Sequence, residues 1–236
     1  MRKIIEFVLT LTMLLGFGLA VQALPEPQPD NIYIMVDANV LDGYGIFYLP
    51  VSVPFSDDES VLDITARWFG QHVTINGDFL TGFATPAAEL AASDYAPFSG
   101  WMLTINNEMT MLGAAAEFPQ HGDVIRWEFS LDFGVDIGFE GWDGTPPAFD
   151  RADKSELIRA YTAICPICAG VWRAHDAMNN LTATQEQVDE AIIGLLLCFC
   201  NDRYVLQNRL AIVGIVLLSL ISGFAIFRFV RILAGM

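Results

Sequence analysis

The residues with the most chemistry to offer are four cysteines in two tight pairs, Cys165-Pro-Ile-Cys168 and Cys198-Phe-Cys200. A C-x-x-C pair is the spacing of a dithiol redox centre, and the two pairs together also offer four thiolates to a tetrahedral zinc ion. No strand–helix unit of thioredoxin type surrounds the first pair, and the compartment indicated below is oxidising. The plainest account is a structural staple. If the helical segments on either side of 181–184 run antiparallel, Cys165 falls opposite Cys200 and Cys168 opposite Cys198. Cys198 and Cys200 point to nearly opposite sides of a regular helix, so two bridges would require that end to unwind. A second constellation is acidic: Asp132, Asp136, Glu140 and Asp143 recur at spacings of four, four and three. Calcium takes about six to eight oxygen ligands, but no D-x-D-x-D-G run is present, and a solvated acidic loop is the preferred reading over a cation site. His72, His121 and His175 lie in no catalytic motif. The expectation is a protein that is not an enzyme, with no cofactor and no resident metal.

The elements that position these residues come in two groups. Ile32–Val36 and Ile46–Val53 have strand character, joined by a turn at Asp42–Gly45, with Pro50 and Pro54 confining the second strand to an edge. Ser56-Asp57-Asp58-Glu59 is expected to open a helix with Val61, Leu62, Thr65, Ala66 and Phe69 on its buried stripe and Gly70 at its end. Short strands are expected near Val73–Ile75 and Phe79–Phe83 around an Asn-Gly-Asp turn, followed by an irregular stretch over Thr85–Pro97. Ser99–Gly138 is the organising stretch. Trp101, Leu103 and Ile105 alternate before a turn at Asn106-Asn107. Ile125, Trp127, Phe129 and Leu131 then take one face of a strand, with Arg126, Glu128 and Ser130 on the other. Asp132–Pro147 is a Gly- and Asp-rich exit loop, and 152–204 has helical spacing, broken at Pro166 and restarted by capping residues at Thr182–Gln187. It predicts a helical hairpin stalk.

The ends explain a mean hydropathy of +0.43. Residues 1–23 combine Arg2 and Lys3, an apolar middle and a small-residue end at Ala23, the pattern of a secretory signal peptide. A proline-rich spacer covers 24–31. Leu210–Phe227 is an uncharged run of eighteen residues followed by Arg228 and Arg231. That is the length and flanking charge of a transmembrane helix with residues 228–236 as a cytoplasmic tail. The localisation this predicts is a single-pass cell-membrane protein with its N-terminal domain outside. From Glu26 to Asp150 there are twenty Asp and Glu against only Arg67 and Arg126. Such a surface repels phosphates, which argues against a nucleic-acid partner.

Gly100-Trp101-Met102, Asn106, Gly113-Ala114, Gly122-Asp-Val-Ile-Arg-Trp127 and Asp132-Phe-Gly-Val-Asp-Ile-Gly138 together resemble the DUF4430 domains, a bacterial surface family similar to the C-terminal domain of transcobalamin and intrinsic factor. The resemblance covers roughly residues 32–138. Asn107 stands where the family has glycine, and His121 where it has an acidic residue. The helical segment has a short resemblance to the FIVAR-type repeats of Gram-positive surface proteins. The resemblance implies an α+β fold of β-grasp type over 32–147, carried on a Gram-positive-type surface. It also implies a ligand surface near Trp101 and the Gly113 loop, with cobalamin or another corrinoid as the candidate ligand. Trp101 in register with Leu103 and Ile105 is equally a core residue. Trp142, between glycines, is the aromatic that packing explains least and is the third ligand-binding candidate. Two functions follow: binding of a bulky small molecule, or a structural or adhesive module that binds protein or glycan and no corrinoid. A buried Trp101 with Trp142 exposed favours the second.

Overall fold

A computed structural model describes residues 31–86, 89–92, 94–110, 112–164 and 168–197. The expected signal peptide, most of the expected spacer, the apolar run at 210–227 and the expected cytoplasmic tail lie outside the described residues. Among the described residues no helix is long and apolar enough to cross a membrane.

The architecture is α+β. Strands β1 (Asn31–Ala38) and β2 (Gly45–Pro54) form an antiparallel pair. The register breaks between Ile34 and Val36, opposite Leu49-Pro50, and β2 lies at the sheet edge as its prolines require. Helix α1 (Val61–Phe69) follows. It starts later than the sequence suggests, because residues 56–59 close on themselves: Glu59 N donates to Ser56 O and Ser56 N to the Glu59 carboxylate. Ser60 is the actual cap, in a reciprocal box with Asp63, a contribution of about 1 kcal/mol. Ile64, rather than Ala66, completes the buried stripe.

Strands β3 (Val73–Asn76), β4 (Phe79–Ala84) and β5 (Glu89–Ala91) make a small antiparallel sheet, the last of them inside the stretch expected to be irregular. Strands β6 (Gly100–Ile105) and β7 (Glu108–Met109) are joined by Asn106 and Asn107, both in the left-handed region with φ of 49° and 68°. Asparagine tolerates this conformation, so the turn forms without a glycine. Strand β8 (Val124–Ser130) runs parallel to β1 and antiparallel to β6, completing a five-stranded sheet in the order β2-β1-β8-β6-β7.

One face of that sheet buries Ile32, Ile34, Val36, Ile125, Trp127 and Phe129 against α1 and the small sheet. The other face is where sequence and structure part. Val124, Arg126, Glu128 and Ser130 alternate toward what a half-buried strand would leave in water, yet every residue of β8 is buried. The cover is the C-terminal segment. It is not a two-helix stalk standing off the domain but three helices packed together, α2 (Ser155–Thr162), α3 (Gly170–Asn179) and α4 (Gln185–Leu196), of which α2 and α3 meet the strands and α4 packs on α2 and α3. Leu157, Ile158, Met178, Val188 and Leu195 pack with Tyr33, Met35 and Val124 in a second core. The segment holds one helix more than expected, since α2 ends at Thr162 and α3 begins at Gly170, and α4 is capped by Thr184 and Gln187 as its sequence suggests. Helices α3 and α4 cross at Gly170 and Gly194, where a Cβ on Gly170 would stand 2.3 Å from Gly194 O.

The sheets and the helical layer, β1 through α4, therefore fold as one unit. A fragment ending at residue 147 strips the cover from Arg126 and Glu128. It is expected to lose cooperative urea unfolding by circular dichroism, whereas a fragment 31–204, which retains all four cysteines, keeps a single transition. Gly170→Ala in the longer fragment should cost about 1–3 kcal/mol from overpacking at the helix crossing.

Candidate functional site

The exposed feature built with most care is a row of three aromatic rings. Phe98 precedes β6, Phe133 follows β8 and Trp142 lies in the exit loop. Phe98 and Phe133 have centroids 4.9 Å apart, and Phe133 and Trp142 are stacked at 5.7 Å. Trp142 is 71% exposed, and Phe98 and Phe133 are exposed with it.

Phe133 is held there against its preferences. Its φ is 46°, in the left-handed region that a bulky residue avoids. The restraint is a polar knot at the end of β8. Ser130 Oγ donates to Asp136 Oδ1 at 2.5 Å and accepts from the amides of Asp132 and Gly134. Asp136 Oδ2 accepts from Leu131 N at 2.7 Å. Phe133 N closes onto Phe98 O at 3.4 Å, fixing the first two rings relative to each other. Trp142 is set by a second small loop, in which Gly141 N donates to Thr145 O and Asp143 accepts from Thr145 Oγ1 at 2.6 Å. Those Thr145 hydrogen bonds hold the Asp143 carboxyl below its ordinary value. Asp136 and Asp143 thus spend their carboxylates on the loop backbone, and among the described residues no cluster of metal-ligating side chains forms.

The sequence candidates scatter. Trp101 is 7% exposed and sits in the first core, ring against Phe83 at 4.8 Å and Phe129 at 5.2 Å, its indole N–H on Leu90 O at 3.1 Å. It offers no face to a ligand, because its register with Leu103 places it under the small sheet. Gly113 is exposed and a Cβ there would meet nothing within 4 Å, so no close backbone approach requires glycine. Trp142 alone of the three is available. Cys168 is buried and disulfide-bonded. Cys165, Cys198 and Cys200 lie outside the described residues, and with them the expected pairing. Phe98 and Phe133 were missed: nothing in their spacing announces that they meet, and the only sequence signal was an aromatic beside the glycine of a turn.

A second cluster is fully buried between β1, β8 and the helical layer. Glu128 accepts two hydrogen bonds from Arg151 at 2.9 and 2.6 Å and one from Thr104 at 3.1 Å. Arg126 lies 2.7 Å from Glu128 and 3.0 Å from Asp37. Lys154 Nζ donates to the carbonyls of Met178 and Asn180 at 3.1 and 2.7 Å. Burial works to raise the Glu128 carboxyl, but Arg126 and Arg151 outweigh it and hold the pKa at about 2. Burial raises Asp37 against the pull of Arg126, and burial lowers Lys154 to about 7. These groups are sealed from solvent and join layers; they do not form an open reaction centre.

Residues 59–130 match the DUF4430 family, described as a domain of unknown function. No curated protein matches the chain.

The buried charges predict the pH profile. Glu128 is held down, so its contribution is complete above its unfolded value of 4.5 and is lost as pH falls toward about 2. Lys154 binds its proton more weakly folded than unfolded, so stability from this group rises with pH between about 7 and 10.5. Urea midpoints of a 31–204 fragment should fall below pH 4.5, and Lys154→Met should flatten the rise above pH 7. Glu128→Gln should cost about 3–5 kcal/mol at neutral pH by stranding Arg126 and Arg151.

Proposed function

We propose that this chain, which carries a DUF4430 domain at residues 59–130, is a membrane-anchored cell-surface interaction module whose contact site is the row Phe98–Phe133–Trp142. The observation that carries this reading is the contrast between two tryptophans: Trp101 is spent on the core, while Trp142 is 71% exposed and stacked on Phe133, which in turn lies against Phe98. An exposed, preorganised aromatic surface is a partner site by its physics. It loses apolar area to water until covered, and the Ser130–Asp136 knot has already met the entropic cost of ordering its central ring. The module's function is thus adhesion to protein or glycan, with no catalytic step.

Several features support the remaining parts of this reading. The strand order, with the first and last long strands parallel at the centre and α1 across one face, supports a β-grasp arrangement. The signal-like N-terminus and the apolar run at 210–227 support a single-pass anchor with the domain outside. The disulfide-bonded Cys168 fits the oxidising compartment. A corrinoid ligand draws support from the family resemblance alone, since the tryptophan it would use is enclosed.

Calorimetry on the full chain in mild detergent tests the site, with chitohexaose, cellohexaose, an alternating Lys–Val decapeptide and hydroxocobalamin as probes. The expected result is saturable binding of a glycan or peptide probe, weakened about tenfold or more by Trp142→Ala with no change in melting temperature. Absence of binding by every glycan and peptide probe overturns the proposal, as does binding indifferent to Trp142→Ala. Saturable hydroxocobalamin binding that survives Trp142→Ala would instead restore the corrinoid reading.

A further inference from the structure

Beside the aromatic row lies a groove of about 550 Å³ between the β6–β7 hairpin and residues 117–123. Its apolar lining comes from Ile105, Met109 and Phe118, the last exposed. Its polar lining is Asn106, Glu108, Thr110, Glu117, Gln120 and Asp123; all of its charged residues are acidic, and among the described residues no lysine or arginine lines it. Asp123 is fixed by Asn106 Nδ2 at 2.6 Å and Gln120 N at 2.7 Å. Arg159, which reaches the groove at Asn106, also bonds Glu156 and Gly122 O. One wall is β7, the terminal strand of the five-stranded sheet, which among the described residues pairs only with β6.

The groove runs on to the aromatic row. Met109 Sδ lies 3.0 Å from the Cβ position of Gly134, the residue next to Phe133. A largely polar groove whose charged residues are all acidic therefore leads, through Met109, to Phe133 and the rings beside it. The charge sign selects the occupant. Anionic groups are repelled, and a neutral glycan leaves the two glutamates without a counter-charge. Lysine or arginine side chains neutralise the rim and also interact favourably with aromatic faces. An extended backbone beside a terminal strand can add to the sheet, with alternate side chains pointing to either face.

We propose that this groove takes an extended cationic peptide segment of a partner protein, whose apolar side chains continue onto Phe133 and Trp142. The inference rests on the aromatic row being a contact site and names the partner class for it.

The test uses the full chain in mild detergent and three decapeptides, alternating Lys–Val, Ser–Val and Glu–Val, followed by calorimetry at low and high salt. The Lys–Val peptide should bind at least tenfold more tightly than Ser–Val, Glu–Val should not bind, and high salt should weaken the Lys–Val complex. Glu108→Gln with Glu117→Gln should weaken Lys–Val binding about tenfold. The charge-matched control on α4, Glu186→Gln with Glu190→Gln, should leave it unchanged. Equal binding of Lys–Val and Ser–Val, or equal weakening by the control pair, overturns the proposal. If cellohexaose or chitohexaose binds in a Trp142-dependent manner while Lys–Val does not, the peptide inference falls and the contact site stands. If no probe depends on Trp142, both fall.

Discussion

The interaction on which the rest of the structure depends is the carboxylate of Glu128. It is fully buried at the centre of the sheet and neutralised from two directions, by Arg126 on its own strand and by Arg151 from the segment entering the helical layer. A lone buried carboxylate is costly; one that accepts a bidentate guanidinium and a Thr104 hydroxyl is tolerated. Because Arg151 comes from outside the strands, the charge cannot be satisfied until the C-terminal segment has docked. Two more arginine contacts follow the same logic. Arg151 Nε reaches Asn107 at 2.7 Å and Arg159 reaches Gly122 O at 2.8 Å, so the left-handed Asn106-Asn107 turn is also tied to the helical layer. Ion pairing here sets the alignment between two layers whose apolar contacts alone would allow sliding.

The same segment links the buried network to the exposed row. Residues 131–150 leave β8 at Ser130, form the knot that carries Phe133, pass through Trp142 and return to Arg151. Phe139 lies under the Arg151 guanidinium at 4.5 Å, and the Cβ position of Gly138 touches both Phe149 and Arg151. The loop that displays the aromatics is thus pinned at both ends to the ion network. A contact surface on a long loop keeps its geometry only when rigid elements anchor it.

Much of the first layer was legible in the residues. Alternation at Ile125–Phe129, the paired prolines of β2, the turn asparagines and the Gly70 stop each reflect a local physical rule and appear as expected. The exit loop was recognised as a loop, and Trp142 as an aromatic lacking a packing role. The start of α1 was displaced because Ser56–Glu59 satisfies its own hydrogen bonds, a choice that local propensity does not reveal.

The sequence by itself determined the long strands β1, β2, β6 and β8, the Asn106-Asn107 turn and that Trp101 shares a face with Leu103, because these follow from backbone chemistry and periodicity within a few residues. Only the tertiary structure decided that the polar face of β8 is buried. Arg126 and Glu128 have the alternation of a wet surface, and what covers them comes from 25 to 70 residues further along the chain. Only the tertiary structure, too, brought Phe98, Phe133 and Trp142 together. Their meeting depends on how two loops close around the end of a strand, and on a strained φ at Phe133 that a serine–aspartate knot enforces.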